Sequence, residues 1–481
     1  MAKKWSVNAK TPRRLASNCS TVISVLDKLE EGRQLSSLEL TLRIAVKLAL
    51  HRHNKLLAAY WLQRAKIKEC TLGDENSSYM HVCASVRFRK NQISRLNVDG
   101  TDVSSHSGKA AILHDFFQSL LGTRSASVID FDLDRLMIGA KLSNSQALSL
   151  IRPFSMEEIK LALLSMNVNA SPGPDGFGPA FFKITSKCLA FRAQPLIPLI
   201  IHQDQFGFIK GRGIADNFIY AADIVQTCFK RKKSAIVLKL DFQKAFDSVS
   251  WEALTATLKA KGFPSKWCDW IHNLNQTSQS AVLLNGKPGP WISCKKGLRQ
   301  GDPTSPYLFI IVGDVLQRLI QQASSNGLLS HPIDSTISYP VLQYADDTLI
   351  ILRAESEQLQ TLKSILLQFS KATGLVINFH KSTFAPIHLE PGLAASLASI
   401  LGCTVASFPQ SYLGLPLSTH KLNIKDFFII DKIDRHLAGW RGVLLTIAGR
   451  AILVKAVLRA LPIYAMSALL LPMSIVQEID K

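Results

Sequence analysis

Between residues 338 and 352 two short apolar runs flank a pair of aspartates, and no other stretch limits the possible folds so sharply. Val341 and Leu342 lead into Tyr344-Ala345-Asp346-Asp347, and Leu349-Ile350-Ile351-Leu352 follows. Two such runs about a polar centre predict strand, tight turn, strand. Adjacent carboxylates about 4 Å apart repel by roughly 4 kcal/mol at an effective dielectric of 20. The turn therefore requires a cation, a proton or full solvation. Aspartate suits a solvated turn on its own account; a divalent metal is the simplest cation that meets the requirement.

A further acid stands at the end of a predicted core strand. Residues 234–240 are largely apolar, as in a strand covered on both faces, and run directly into Asp241. Phe242, Lys244, Phe246 and Asp247 follow, then a helix capped by Ser250 with Trp251, Leu254 and Leu258 on one face. Asn285-Gly286 between two apolar runs predicts a second hairpin. Gly297-Leu298-Arg299-Gln300-Gly301-Asp302-Pro303 combines a backbone able to approach a ligand with the planar donors of Arg299 and Gln300. With Ser305 as N-cap and Pro306 at the first helical position, an apolar helix should then run to about Ile320. Leu359, Leu362, Leu366 and Phe369 mark another helix, ended by Gly374 and followed by a short strand at 375–377, Asn378 and Lys381. Upstream, Gln205-Phe206-Gly207-Phe208 and Gly211-Arg212 precede a helix predicted over 216–229. Before them, a helix over 156–166 with a capping box of Ser155 and Glu158 leads to the rigid turn Ser171-Pro172-Gly173-Pro174-Asp175-Gly176.

Charge points to the partner. Among 481 residues, 56 Lys+Arg against 36 Asp+Glu give a net +20, the footprint of a protein that meets phosphate. The first 100 residues alone hold 18 basic against 8 acidic side chains. There, Leu40, Ile44, Leu48, Leu57, Trp61 and Leu62 recur at helical spacing among Arg43, Lys47, Arg52, Lys55, Arg64 and Lys66, predicting two amphipathic helices over 38–68 with a basic face. A basic pattern resumes with Arg87, Arg89, Lys90 and Arg95. The eight cysteines form no Cys-x-x-Cys pair, which predicts a reducing, intracellular compartment, nuclear or cytoplasmic, and no structural zinc. The most apolar stretch, 461–473, is too short to span a bilayer, so no membrane partner is expected. Residues 1–14 read as a candidate targeting tail, and Lys230-Arg231-Lys232-Lys233 as a nuclear signal or as cations at a helix C-terminus.

Five strings occur in one order: Gln-Phe-Gly-Phe with Gly-Arg, Leu-Lys-Leu-Asp-Phe-Gln-Lys-Ala-Phe-Asp, Gly-Leu-Arg-Gln-Gly-Asp-Pro with Ser-Pro, Tyr-Ala-Asp-Asp, and Gly-Leu-Val-Ile-Asn with Lys-Ser. Together they resemble the reverse transcriptases of plant LINE-type, non-LTR retrotransposons. The resemblance implies an α+β fold: a right-hand polymerase palm of antiparallel sheet on helices, with reduced fingers, a helical thumb and a basic helical N-terminal extension. The implied divisions are 1–125 for the extension, 126–212 for partial fingers, 213–405 for the palm and 406–481 for the primer-grip segment and thumb. The implied activity is RNA-directed DNA polymerisation, with an RNA template, a DNA primer and deoxyribonucleoside triphosphates as partners.

Carried over position by position, the resemblance gives Asp241, Asp346 and Asp347 to two Mg²⁺ ions, with Mn²⁺ as a possible substitute, and Lys381 to proton donation toward leaving pyrophosphate. Phe242 would add a backbone metal ligand, and Phe246 would stack under the sugar and clash with a 2′-hydroxyl. Arg299, Gln300 and Gly301 would face the incoming nucleotide; Gly211, Arg212, Tyr412 and Gly414 would face template and primer. Two ions about 3.5–4 Å apart would both relieve the carboxylate repulsion and neutralise a triphosphate. One departure matters: Phe181-Phe182-Lys183 runs almost directly into Cys188-Leu189-Ala190-Phe191-Arg192, where the family carries a longer finger segment with the basic residues that grip the triphosphate. The alternative function is accordingly a catalytically inactive retroelement remnant that keeps the palm and at most binds nucleic acid.

Overall fold

The computed structural model describes residues 12–65, 78–124, 127–166, 179–334, 339, 341–427, 429–436 and 447–479. The turn cluster at 171–176 and the candidate targeting tail up to residue 11 lie outside them. The strands, in chain order, are β1 (Leu96–Val98), β2 (Thr101–Val103), β3 (Ala235–Leu240), β4 (Gln279–Leu284), β5 (Lys287–Ser293), β6 (Val341–Tyr344), β7 (Asp347–Arg353), β8 (Thr383–Ile387), β9 (Thr404–Val405), β10 (Gln410–Tyr412) and β11 (Leu415–Leu417).

Five of them form the central sheet in the order β6-β7-β3-β8-β9, antiparallel except for the β8–β9 edge. The apolar character of β3 follows from burial on both faces. Ile236, Leu238 and Leu240 face one core with helices Trp251–Ala260, Ser305–Ser325 and Ser356–Thr373. Val237, with Leu349 and Ile351 of β7, faces a second core made by helix Ile214–Lys230, the β10–β11 hairpin and the C-terminal helical segments. Alternation along the strand thus sends both sets inward, and no polar face remains to be read. Asn285 (φ 51°) and Gly286 (φ 85°) turn the predicted β4–β5 hairpin, and Ser250 caps its helix through Ala253 N–H.

Three expectations change. The two helices predicted over 38–68 are one, Ser37–Ala65, packed against Pro12–Gly32; no Gly or Pro interrupts it. Its Leu40, Ile44 and Leu48 are exposed rather than core-facing, and the join is ionic: Arg43 bonds Asp27 and Glu30, each at 2.6 Å. The capping box at Ser155 is half made. Ser155 accepts Glu158 N–H, but the Glu158 carboxylate turns to Arg192 at 2.7 Å, and Arg192 also donates to the carbonyls of Leu150, Arg152 and Pro153. Residues 375–377 make a single bridge, Ile377 to Phe242, instead of a strand.

Behind the sheet, Lys261 and Asp314 are both fully buried and paired at 2.6 Å. Asp314 also accepts from His202 N–H and Arg318, and Lys261 donates to Ile200 O. The cluster ties the segment ahead of Gln205 to helix Ser305–Ser325. Removing Lys261 leaves the fully buried Asp314 with Arg318 as its remaining cation, so Lys261→Met should cost about 3 kcal/mol. Urea unfolding followed by tryptophan fluorescence measures it; Lys261→Met combined with Asp314→Leu should recover most of the loss.

Candidate active site

The register of β3 against β7 builds the site. Leu240 pairs with Thr348 at the end of the ladder, so Asp241 and Asp347 follow at adjoining strand ends, near enough for the Asp241 charge to act on Asp347. Alternation from Val237, Leu349 and Ile351 sends both carboxylates toward the β10–β11 side. Asp346 occupies the turn between β6 and β7, exposed like Asp241. Burial pushes the Asp347 carboxyl above its ordinary range; Lys239 opposes this, and Asp346 and Asp241 add to it. Among the described residues no three His, Cys, Asp or Glu side chains form a group that could hold one ion. Asp241, Asp346 and Asp347 stand at neighbouring strand ends, where Asp346 and Asp241 both act on the Asp347 carboxyl. These hard oxygen donors in mutual repulsion fit Mg²⁺ or Mn²⁺ in type.

Neighbouring backbone frames the acids. Asn378 N–H donates to Asp241 O at 2.7 Å and Gln243 N–H to Val376 O at 2.8 Å, so the bridge between Phe242 and Ile377 uses neither polar group of Phe242. Asp241 N–H donates to Ser382 Oγ at 3.1 Å, which brings the turn carrying exposed Lys381 beside that acid. Phe246 stacks on Phe309 with centroids 4.6 Å apart and stays half-buried. The loop 297–301 is latched to it: Leu298 N–H donates to Phe246 O, and Gln300 reaches Asp247 at 3.4 Å. Gly297 (φ +84°) permits this approach, since a Cβ there would lie 2.7 Å from Asp247 O. Gly301 accepts at its carbonyl from Lys183 at 2.6 Å.

Three expected ligand contacts become structural ones. Arg299 donates to Ser278 Oγ at 2.6 Å and Leu274 O at 2.8 Å, so its fork anchors the loop. Arg212 donates to the carbonyls of His202 and Gln205 at 2.6 and 2.7 Å, bracing residues 202–205. Tyr412, expected at the nucleic acid, is fully buried with its hydroxyl donating to Asn217 at 2.7 Å. Its strand alternates into the second core, Leu413 is buried there as well, and Gly414 is exposed at the turn. Gly211 is exposed with φ +88°.

Other residues at the site escaped the sequence reading. Lys239 lies 4.0 Å from Asp347 and donates to Ser411 O at 3.0 Å; the two-residue period from Asp241 already puts it on that face. Asn217 donates to Gln343 O at 3.2 Å, which no local pattern signals.

The model of the reverse transcriptase (RNA-dependent DNA polymerase) family matches residues 177–417, half of the chain, and the chain belongs to that family. An uncharacterized 149 kDa protein of transposon TX1 from Xenopus laevis is 25% identical over 283 residues, 57% of this chain and 21% of that protein. The Pol polyprotein of a type-2 retrotransposable element from Drosophila melanogaster is 29% identical over 44% of this chain and 18% of its own length. The chain thus spans less than a quarter of either relative. A solved telomerase from Candida tropicalis, in complex with a fragment of telomeric RNA, overlays at TM-score 0.40 and 11% identity over 90% of this chain and 65% of that one, a similarity too loose to carry a conclusion.

Asp204, beside Gln205, is buried, and burial pushes its carboxyl up to about 6. His202, 3.7 Å away, is driven down to about 4 by its own burial, so no ion pair forms there at neutral pH. The folded-state pKa is raised, hence ionisation of Asp204 opposes folding: the penalty is absent below pH 3.8, grows between 3.8 and about 6, and is full above. Asp204→Asn should therefore stabilise the protein by about 1–3 kcal/mol at pH 7 and by nothing at pH 3.5, as read by denaturant midpoints at the two pH values.

Proposed function

We propose that the chain is the polymerase core of a plant LINE-type, non-LTR retrotransposon and that it copies RNA into DNA. The observation that supports this reading is that Asp241 follows β3 and Asp347 begins β7 at adjoining strand ends, with Asp346 in the adjoining turn, inside a chain of the reverse transcriptase family. The three carboxylates would hold two Mg²⁺ ions, and such ions supply activation of the primer 3′-hydroxyl and neutralisation of the triphosphate. This chain's own residues orient the partners. Gln300 and Gly301 lie on the loop latched to Asp247 and would face the incoming nucleotide. Lys381, on the turn beside Asp241, would donate a proton to pyrophosphate. Basic residues of the N-terminal helices and the thumb would hold an RNA–DNA hybrid by shape and phosphate, with binding that falls steeply with salt. Nothing in the described residues is a helix long and apolar enough to cross a membrane.

Phe246 would select the sugar. Its ring has one face on Phe309 and is half-buried, which leaves an edge to meet a ribose. In a version of the chain carrying the family's finger segment, Phe246→Val should admit ribonucleotides in primer extension on RNA; unchanged discrimination would make Phe246 a packing residue alone.

The chain as written should be slow. Each donor aimed at developing charge is worth about 2.7–4 kcal/mol in rate, so loss of two finger cations corresponds to roughly 10⁴- to 10⁶-fold. Arg212 does not replace them, because its donors serve two backbone carbonyls. Primer extension on an RNA template with Mg²⁺ or Mn²⁺, beside the finger-restored version and an Asp346→Asn control, tests both statements. The restored version should extend and the control should not. Extension by the present chain at the restored rate would overturn the assignment of the lost cations, and no extension by either would overturn the polymerase reading.

A further inference from the structure

The acidic turn is strained, and one side chain from a distant segment holds it. Ala345, the first of the two central residues between Tyr344 and Asp347, has φ +58°, where glycine is preferred in a type II′ hairpin and alanine is penalised. Its N–H, buried, donates to Gln205 Oε1 at 3.0 Å across 140 residues of sequence. The same oxygen accepts Gly207 N–H at 2.8 Å, while the amide nitrogen is buried without a hydrogen-bond partner. The side chain therefore serves the fold through its oxygen.

The segment that carries Gln205 is itself fixed. Gln343 N–H donates to Asp204 O and Phe206 N–H to Gln343 O, at 2.9 and 2.8 Å, so residues 204–206 pair with the outer edge of β6. Arg212 clamps the carbonyls on either side of Asp204. Gly207 lies against the turn so closely that a Cβ there would sit 2.4 Å from Ala345 N. The turn is thus gripped from outside the hairpin at its strained residue, one position before Asp346.

We propose that Gln205 is a positioning residue for the acidic turn, holding Ala345 in its positive-φ conformation so that Asp346 and Asp347 stand ready to bind divalent cations together with Asp241. The inference rests on the reading of those three acids as ion ligands. Without the oxygen, Ala345 relaxes out of the positive-φ region and moves both carboxylates. A glycine at 345 adopts that conformation freely and no longer needs the grip.

Two measurements on the full chain test it. Hydrogen–deuterium exchange without metal, read over 341–352, should speed up about tenfold or more at Ala345 in Gln205→Met while β3 is unchanged, a change on the scale of one buried hydrogen bond. Mn²⁺ titration followed by the free-ion EPR signal should show about tenfold weaker binding in Gln205→Met and in Gly207→Ala. Adding Ala345→Gly to Gln205→Met should restore most of the affinity, which a general loss of packing would not allow. Unchanged exchange at Ala345, or weakened binding that Ala345→Gly fails to rescue, overturns the proposal. Asp346→Asn separates the two levels: if it leaves Mn²⁺ binding intact, the ion-ligand reading fails and the positioning role toward ions fails with it, while the exchange result still decides whether Gln205 grips the turn.

Discussion

Two like charges at the adjoining ends of β3 and β7 are the constraint around which the centre is built. A ladder that registers Leu240 with Thr348 ends with Asp241 and Asp347 at adjoining strand ends, and a slip of one residue would send every side chain of β3 to the other face. That slip is blocked because both faces are core: Leu238 and Val237 are each nearly inaccessible, on opposite sides. The apolar burial of the sheet thus supplies the free energy that keeps two repelling carboxylates adjacent. Lys239, on the same face two residues earlier, relieves part of the repulsion.

The segments that surround this ladder act on its ends. Gln205, Asn217 and Tyr412 form a path of contacts from the acidic hairpin to β10: Gln205 on Ala345, Asn217 on Gln343, Tyr412 on Asn217. Tyr464 of helix Ile447–Met466 continues it by donating to Leu413 O at 2.5 Å. A helix from the chain's last quarter therefore bears on the hairpin through buried hydrogen bonds, whose loss would leave unsatisfied polar groups in a core.

What the sequence could reveal follows the range of the interaction that decides it. The Asp-Asp hairpin, the apolar strand before Asp241, the Asn285-Gly286 turn and the Ser250 cap rest on neighbours within a few residues, and each is found where its local chemistry predicts. Arg212, Arg299 and Tyr412 carry motif positions but act on carbonyls, a hydroxyl and a side chain supplied by folding, so their structural duties had no local signature. Glu158 is the mixed case: Ser155 three residues away makes the cap, yet a buried guanidinium 34 residues on takes the carboxylate. An ion pair with Arg192 is stronger there than a return bond to an exposed backbone N–H.

Helix Pro179–Ala193 delivers charge both to the protein interior and to the loop at 297–301. Two of its three cations have different fates. Arg192 is neutralised by Glu158 inside the protein and braces the carbonyl ends of the preceding segment. Lys183 bonds a neutral partner, the Gly301 carbonyl, and makes no ion pair among the described residues. Its charge is held at the loop that carries Gln300, while Ser186 on the same helix bonds Asp302 and Thr304 and fixes the loop's far side. A single fixed ammonium there raises the local concentration of polyphosphate within a Debye length of about 8–10 Å, but a charge held on a carbonyl is not aimed at oxygens whose charge grows in the transition state. Attraction of that kind lowers the free energy of bound substrate and transition state alike, and only the difference between them accelerates the reaction.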